Sequence, residues 1–112
     1  MKNEIEFSDF QKLEIKVGTI VEVEKVAKAD KLYKLQVDCG ENSPRQIVSS
    51  MVPFYYAKEM RGEKIAVLCN LKPTKFCGEI SNGMLLAAEK DDESEYVLLT
   101  VDKDIENGTK VC

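Results

Sequence analysis

Two sets of cationic side chains recur at a spacing that could serve one chemistry. Lys25, Lys28, Lys31 and Lys34 follow one another every three residues, and Lys72 and Lys75 repeat the interval around Pro73. An ammonium on a flexible stem suits a phosphate, because a point charge reads backbone position without demanding base identity. The same spacing also serves a small domain that only needs a solvated surface, and the pattern alone leaves both readings open. Acid–base or covalent chemistry has no comparable support. The chain contains no histidine, the commonest general base and metal ligand. It shows no nucleophile–base pair and no glycine-rich phosphate loop. Cys39, Cys69, Cys77 and Cys112 lie far apart without CxxC spacing, whereas a zinc centre needs four close ligands. Reduced cysteines acting as small apolar residues are expected, with no catalytic residue, metal or cofactor.

The second lysine set lies in the stretch that the rest of the chain must position, Asn70 to Glu89, NLKPTKFCGEISNGMLLAAE. It opens with Asn70, Lys72 and Lys75, turns at Lys72-Pro73, passes Gly78 and a Ser81-Asn82-Gly83 turn, and closes in an apolar run from Met84 to Ala88. Proline fixes φ and the glycines admit positive φ, so a shaped polar loop ending in a buried strand is expected, suited to presenting groups to a ligand. Ser81 has two uses, capping the following turn or donating to a phosphate or 2′-hydroxyl. Gly83 would let a ligand approach the backbone, and Met84 is either core or a soft surface on which a base can rest. Asp30, inside a lysine cluster, opposes phosphate. It is expected to cap a turn, with a sugar hydroxyl as the other use. Phe54-Tyr55-Tyr56 is read as packing against the barrel bottom in preference to base stacking.

Length and charge set the frame. A chain of 112 residues makes one small domain, and 44% hydrophobic with 32% charged residues is an ordinary globular balance. The net charge of −4 is unevenly placed. Residues 1–88 hold 13 Lys/Arg against 12 Asp/Glu, and residues 89–112 hold 3 against 8, clustered at Glu89-Lys90-Asp91-Asp92-Glu93. Binding to a polyanion would therefore rest on a local basic patch, with modest affinity and marked salt sensitivity. No apolar run approaches the roughly 20 residues that span a bilayer. The N-terminus, MKNEIEFSDF, is unlike a secretory signal, so no membrane association and a cytoplasmic location are expected.

The elements follow from periodicity. Ser8 to Leu13 reads as about one helical turn capped by Ser8. Residues 15–26 alternate apolar and polar, with a bulge or bend expected at Gly18. Leu32 to Asp38 is a second strand, Cys39 to Pro44 a hairpin loop, and Arg45 to Met51 a third strand. A short helix is expected from Pro53 to Met60, then strands from Lys64 to Leu71 and Gly83 to Glu89, with shorter extended segments at Tyr96–Val101 and Thr109–Val111. Three meandering strands, a helix and two more strands is the order of a five-stranded OB-fold barrel. The expected division of the single domain 1–112 is a helical segment 1–14, an all-β barrel 15–89 and a β extension 90–112.

The same residues carry a family resemblance over nearly the whole chain. Asn70-Leu71-Lys72-Pro73 followed by Ser-x-Gly-Met-Leu-Leu-Ala-Ala from Ser81 resembles the tRNA-binding domain appended to some methionyl-tRNA synthetases, which also occurs as a stand-alone tRNA-binding protein. Phe7-Ser8-Asp9-Phe10, Lys16-Val17-Gly18, Ala29-Asp30-Lys31-Leu32, Leu35-Gln36-Val37-Asp38, Val97-Leu98-Leu99-Thr100 and Asn107-Gly108-Thr109-Lys110-Val111 agree in order. The resemblance implies an OB-fold and a non-catalytic module that grips the outer corner of tRNA by shape and backbone, assisting a synthetase as its C-terminal domain or separate β subunit. The implied RNA surface comprises Asp30, Lys31, Lys72, Ser81, Gly83 and Met84, to which the lysine and loop patterns add Lys34, Asn70 and Lys75. It also implies a homodimer through the N-terminal segment and C-terminal extension, here Phe7, Phe10, Val97, Leu99 and Val101, and the synthetase catalytic chain as a partner. Cys77 and Glu79 depart from the family pattern, which has an arginine and a small aliphatic residue there, and the change of charge implies weaker binding. A peptide-binding export chaperone of the same fold, or a dimerisation module with little RNA affinity, is the alternative.

Overall fold

The computed structural model describes all 112 residues. Strand β1 (Ile15–Lys25) shows how this sequence curls a sheet. Gly18 and Ile20 face inward, and one extra residue in the β1 register between Ile20 and Glu22 carries the inward set over to Val23. The bulge expected at Gly18 therefore falls at Val21 instead. Gly18 serves a different purpose. A Cβ there would stand 2.8 Å from the Val37 side chain, so its bareness lets the next strand cross close to β1. That strand, β2 (Tyr33–Asp38), alternates perfectly, with Tyr33, Leu35 and Val37 buried. It pairs antiparallel with β1 and with β3 (Arg45–Ser49).

On its other edge β1 pairs with β4 (Lys64–Leu68). Two short hairpins follow in the chain. The first joins β5 (Thr74–Phe76) to β6 (Glu79–Ser81). After β7 (Met84–Leu85), which pairs with β4, the second joins β8 (Ala87–Glu89) to β9 (Tyr96–Leu98). Strand β10 (Lys110–Val111) returns to the start of β1. The order β3-β2-β1-β4-β7 is that of the OB-fold barrel, nearly closed because β3 approaches the β6–β7 connection. The Asn82 amide donates to the Gln46 carbonyl at 2.7 Å, and the Arg45 guanidinium donates to the carbonyls of Cys69 and Asn82 at 3.0 and 3.1 Å. Inside are Ile20, Leu35, Ile47, Ile65 and Val67, with Met51 and Met60 fully buried against them. Each such side chain contributes about 1.5–3 kcal/mol by leaving water.

Local expectations are corrected in four places. Helix α1 (Phe7–Gln11) starts one residue earlier than expected and is capped by Glu6, whose amide donates to the Asp9 carboxylate at 3.3 Å, and not by Ser8. Helix α2 is only Ala57–Met60. Pro53 lies in a preceding turn, where the Met51 carbonyl accepts the amides of both Phe54 and Tyr55. The strand expected from Gly83 to Glu89 breaks at Leu86, whose amide donates to Ala66 while its carbonyl accepts from Leu99, so the chain changes partners there. The polar loop at 70–83 contains the β5–β6 hairpin. No helix is long and apolar enough to cross a membrane.

Candidate nucleic-acid interface

Two connections stand side by side at one end of the barrel. Residues 26–32 join β1 to β2, closed by the Val26 amide donating to the Leu32 carbonyl at 3.1 Å and the Leu32 amide to Ala29 at 3.2 Å. Lys28 and Lys31 are exposed on this turn, and Lys25 is exposed at the end of β1. The other connection is the β5–β6 hairpin. Its tip is Cys77-Gly78 with φ of 50° and 86°, the double positive φ of the two-residue turns that suit strand twist. A cysteine replaces the usual Asn or Asp at the first position, which hid this hairpin in the sequence. Lys72 and Lys75 are exposed before and within it. These five lysines make no ion pair.

A groove runs between the two connections. One part, about 260 Å³, is lined by Leu32, Val48, Phe76, Met84 and Tyr96 together with Glu89. It continues through Ser50, Glu89 and Tyr96 into an adjoining part where Lys31, Phe54 and Glu93 join the wall. Phe54 stacks on Tyr96 with ring centroids 5.4 Å apart and planes at 20°. The expected packing of Phe54-Tyr55-Tyr56 on the barrel bottom therefore divides three ways. Phe54 belongs to the groove. The Tyr55 hydroxyl accepts from the Leu98 amide at 3.2 Å, and Tyr56 is exposed. A broader concavity at Glu41 to Gln46, Ile80 and Asn82 is walled by polar residues that include the Glu41–Arg45 pair, with one hydrophobic side chain among them.

The groove brings together Lys31 and Met84 of the residues singled out from sequence, with Lys72 and Lys75 on the flanking connection. Others have structural work. The Asn70 side chain accepts from the Glu14 amide at 2.8 Å and donates to the Lys12 carbonyl at 2.6 Å, pinning the N-terminal segment to the end of β4. Ser81 is buried: its hydroxyl donates to the Gly83 carbonyl at 2.9 Å and accepts from the Val48 amide at 3.0 Å. Gly83, with φ of 118°, is also buried, and a Cβ there would stand 2.7 Å from the Leu68 carbonyl oxygen. What approaches its backbone is β4. Asp30 is exposed and makes no side-chain hydrogen bond, so the turn is held by backbone bonds and not by the expected carboxylate cap.

Lys34 differs from the other lysines. It projects from the outer face of β2, with Glu24 opposite on β1. Its ammonium lies 3.5 Å from Glu24 and 3.4 Å from Glu79. Partial burial works to lower its pKa, but the two carboxylates outweigh it and the net shift is upward. Glu79 also accepts from Gln46 Nε2 at 3.4 Å. Glu79 thus reaches from the hairpin to the sheet and neutralises a lysine there.

Elsewhere, Phe7 is 69% exposed, Val97 52% and Leu99 46%, with Ile5 and Phe10 also outside; Val101 is half-buried. Phe7 and Phe10 pack on one another, ring centroids 5.9 Å apart. No three His, Cys, Asp or Glu side chains converge to hold a metal ion.

A nearly closed five-stranded barrel with the strand order β3-β2-β1-β4-β7 defines the OB-fold class. Within that class the chain belongs to the tRNA-binding domain family: residues 15–110 match the family described as "Putative tRNA binding domain". It is 50% identical over 108 residues to a methionine–tRNA ligase of Methanocaldococcus jannaschii, covering 96% of this chain and 16% of that relative. The chain thus spans about one sixth of the length of the curated relatives it matches. Among solved structures it resembles a MetRS-related protein from Pyrococcus horikoshii, with TM-score 0.91 and 35% identity over 99% of this chain and all of that one. It also resembles the chaperone protein CsaA from Picrophilus torridus, with TM-score 0.87 and 31% identity over 97% of this chain and all of that one.

Proposed function

We propose that this domain holds folded tRNA by its shape and backbone and raises the local tRNA concentration for a methionyl-tRNA synthetase catalytic chain. The observation that carries the reading is the set of five exposed, unpaired lysines, Lys25, Lys28, Lys31, Lys72 and Lys75, on the connections beside the groove. Free ammonium groups can release counterions on meeting phosphates, whereas paired ones must first give up a carboxylate. Lys31 and Lys72 are the principal phosphate contacts in this reading, with Lys75 and Met84 beside them. Lys34 contributes less because Glu24 and Glu79 already hold it.

The test is tRNA binding measured by fluorescence anisotropy across a salt series, for the wild type and Lys72→Ala. Low-micromolar binding that falls steeply with salt, and a slope about 0.7–0.9 smaller in the variant, supports the reading. Absence of binding at low salt refutes it. A second reading, a peptide-binding chaperone, is favoured by the likeness to CsaA and by the apolar groove; saturable capture of an unfolded peptide without tRNA binding would establish it.

The domain acts as a homodimer in this proposal, pairing through Phe7, Phe10, Val97, Leu99 and Val101. Sedimentation as a monomer at micromolar concentration would exclude the pairing without touching the RNA reading.

A further inference from the structure

The lysines explain attraction to a polyanion but leave the groove between them without a role. The part walled by Leu32, Val48, Phe76, Met84 and Tyr96 is largely apolar and small, about 260 Å³. It suits one flat ring better than a folded helix. Phe76 and Met84 contribute to its walls, as does Tyr96, which is backed by Phe54 at 5.4 Å. Around this apolar floor stand polar groups that the protein leaves free. The Ser50 and Tyr96 hydroxyls, the Glu89 and Glu93 carboxylates and the Lys31 ammonium make no hydrogen bond or ion pair within the chain. Two carboxylates at the rim would repel a phosphodiester but can accept hydrogen bonds from an amino group.

We propose that the groove takes a single unstacked nucleobase bearing an exocyclic amine, adenine, cytosine or guanine as opposed to uracil, splayed from the bound RNA. The ring lies against Tyr96, whose position is stiffened by Phe54, with Met84 and Phe76 completing the slot. Glu89 accepts from the exocyclic amine and is the discriminating group, since uracil offers only carbonyl oxygens where those bases carry the amine. Lys31 meets the phosphate on the same nucleotide, keeping the chain's negative charge away from Glu89 and Glu93. Unpaired bases are the part of an RNA that aromatic side chains can reach, because the deep groove of the A-form helix is closed to them. The inference rests on the tRNA-binding reading and deepens it, adding a base contact to recognition by shape.

Fluorescein-labelled A6, C6 and U6 oligoribonucleotides and labelled tRNA serve as probes, with the wild type, Tyr96→Leu, Glu89→Gln and Lys72→Ala as proteins. Leucine keeps apolar volume at β9, and the thermal midpoint of each variant verifies that the barrel stands. The expected result is tighter binding of A6 and C6 than of U6, a preference that Glu89→Gln narrows. Tyr96→Leu weakens tRNA binding by about tenfold while leaving its salt slope unchanged, as removal of one stacking contact should. Tyr96→Leu binding tRNA like the wild type, with Lys72→Ala still weakened, overturns the base slot and leaves the RNA reading intact. Equal affinity for U6 and A6 overturns the role of Glu89. Wild-type protein that binds no tRNA but binds an unfolded peptide in a Tyr96-dependent way overturns both.

Discussion

Ser81 Oγ lies 3.0 Å from the Val48 backbone nitrogen and 2.9 Å from the Gly83 carbonyl oxygen, so one buried hydroxyl accepts from β3 and donates to the turn before β7. These strands share no ladder; the hydroxyl stands where a strand-to-strand bond would. Ser81→Ala leaves the Val48 amide buried without an acceptor, at a cost of about 1–3 kcal/mol. We expect a lower urea midpoint with tRNA affinity unchanged for the folded protein. Lost affinity at unchanged stability would instead place the hydroxyl in the RNA interface.

Glu79 sets the charge of the sheet face. Glu79→Gln keeps a hydrogen-bonding side chain beside Gln46 but frees Lys34 from one of its two carboxylates. The change should strengthen tRNA binding by about two- to fivefold and steepen its salt dependence. Anisotropy titrations at two salt concentrations decide the matter, and unchanged affinity would remove Lys34 from the interface.

The cysteines divide by position. Burial pushes the Cys39 thiol up to about 12, and burial likewise raises Cys69. Cys77 and Cys112 are exposed. Iodoacetamide at about pH 8 should therefore modify Cys77 and Cys112 in the native protein, and Cys39 and Cys69 only after denaturation. Peptide mass spectrometry reads the outcome; native labelling of Cys39 would show that this end of the barrel opens.

The Glu41–Arg45 pair gives the fold an acid dependence. Arg45 donates to Glu41 at 2.7 and 2.9 Å, and this hydrogen bonding holds the Glu41 carboxyl below its ordinary value. A depressed folded-state pKa means stabilisation that is present above the unfolded value and lost as pH falls through the folded one. The stability difference between the wild type and Glu41→Gln should thus be constant near neutrality and shrink below about pH 4.3, the usual glutamate value. Urea melts at several pH values measure it, and a pH-independent difference would show that the pair carries no such linkage.

Much of the barrel was readable because it depends on periodicity. Alternation in residues 33–38 places Tyr33, Leu35 and Val37 inward whatever the rest of the chain does. In β1, by contrast, the bulge at Val21 had to carry the inward set from Ile20 to Val23. Strand order then selects the OB topology. The candidate site was readable in part. Lys31, Lys72 and Lys75 are exposed because charged side chains stay in water, and Met84 reaches the groove at the start of the strand that sequence located.

What the sequence determined by itself was the order of the main barrel strands, the near-neutral barrel with its acidic tail, and the family. Tertiary structure alone decided which polar residues are free. Asn70, Ser81 and Gly83 stand in the same short stretch as Lys72 and Lys75, yet the first three close the molecule and the lysines face solvent. Whether a hydroxyl or amide is available to a ligand depends on whether a distant backbone group, here Val48 or Glu14, has already claimed it. The groove is of the same kind, since residues as far apart as Leu32, Phe54, Phe76 and Tyr96 become neighbours only when the barrel closes. Physically, local preference acts over a few residues, while burial and hydrogen-bond satisfaction are settled among all elements at once.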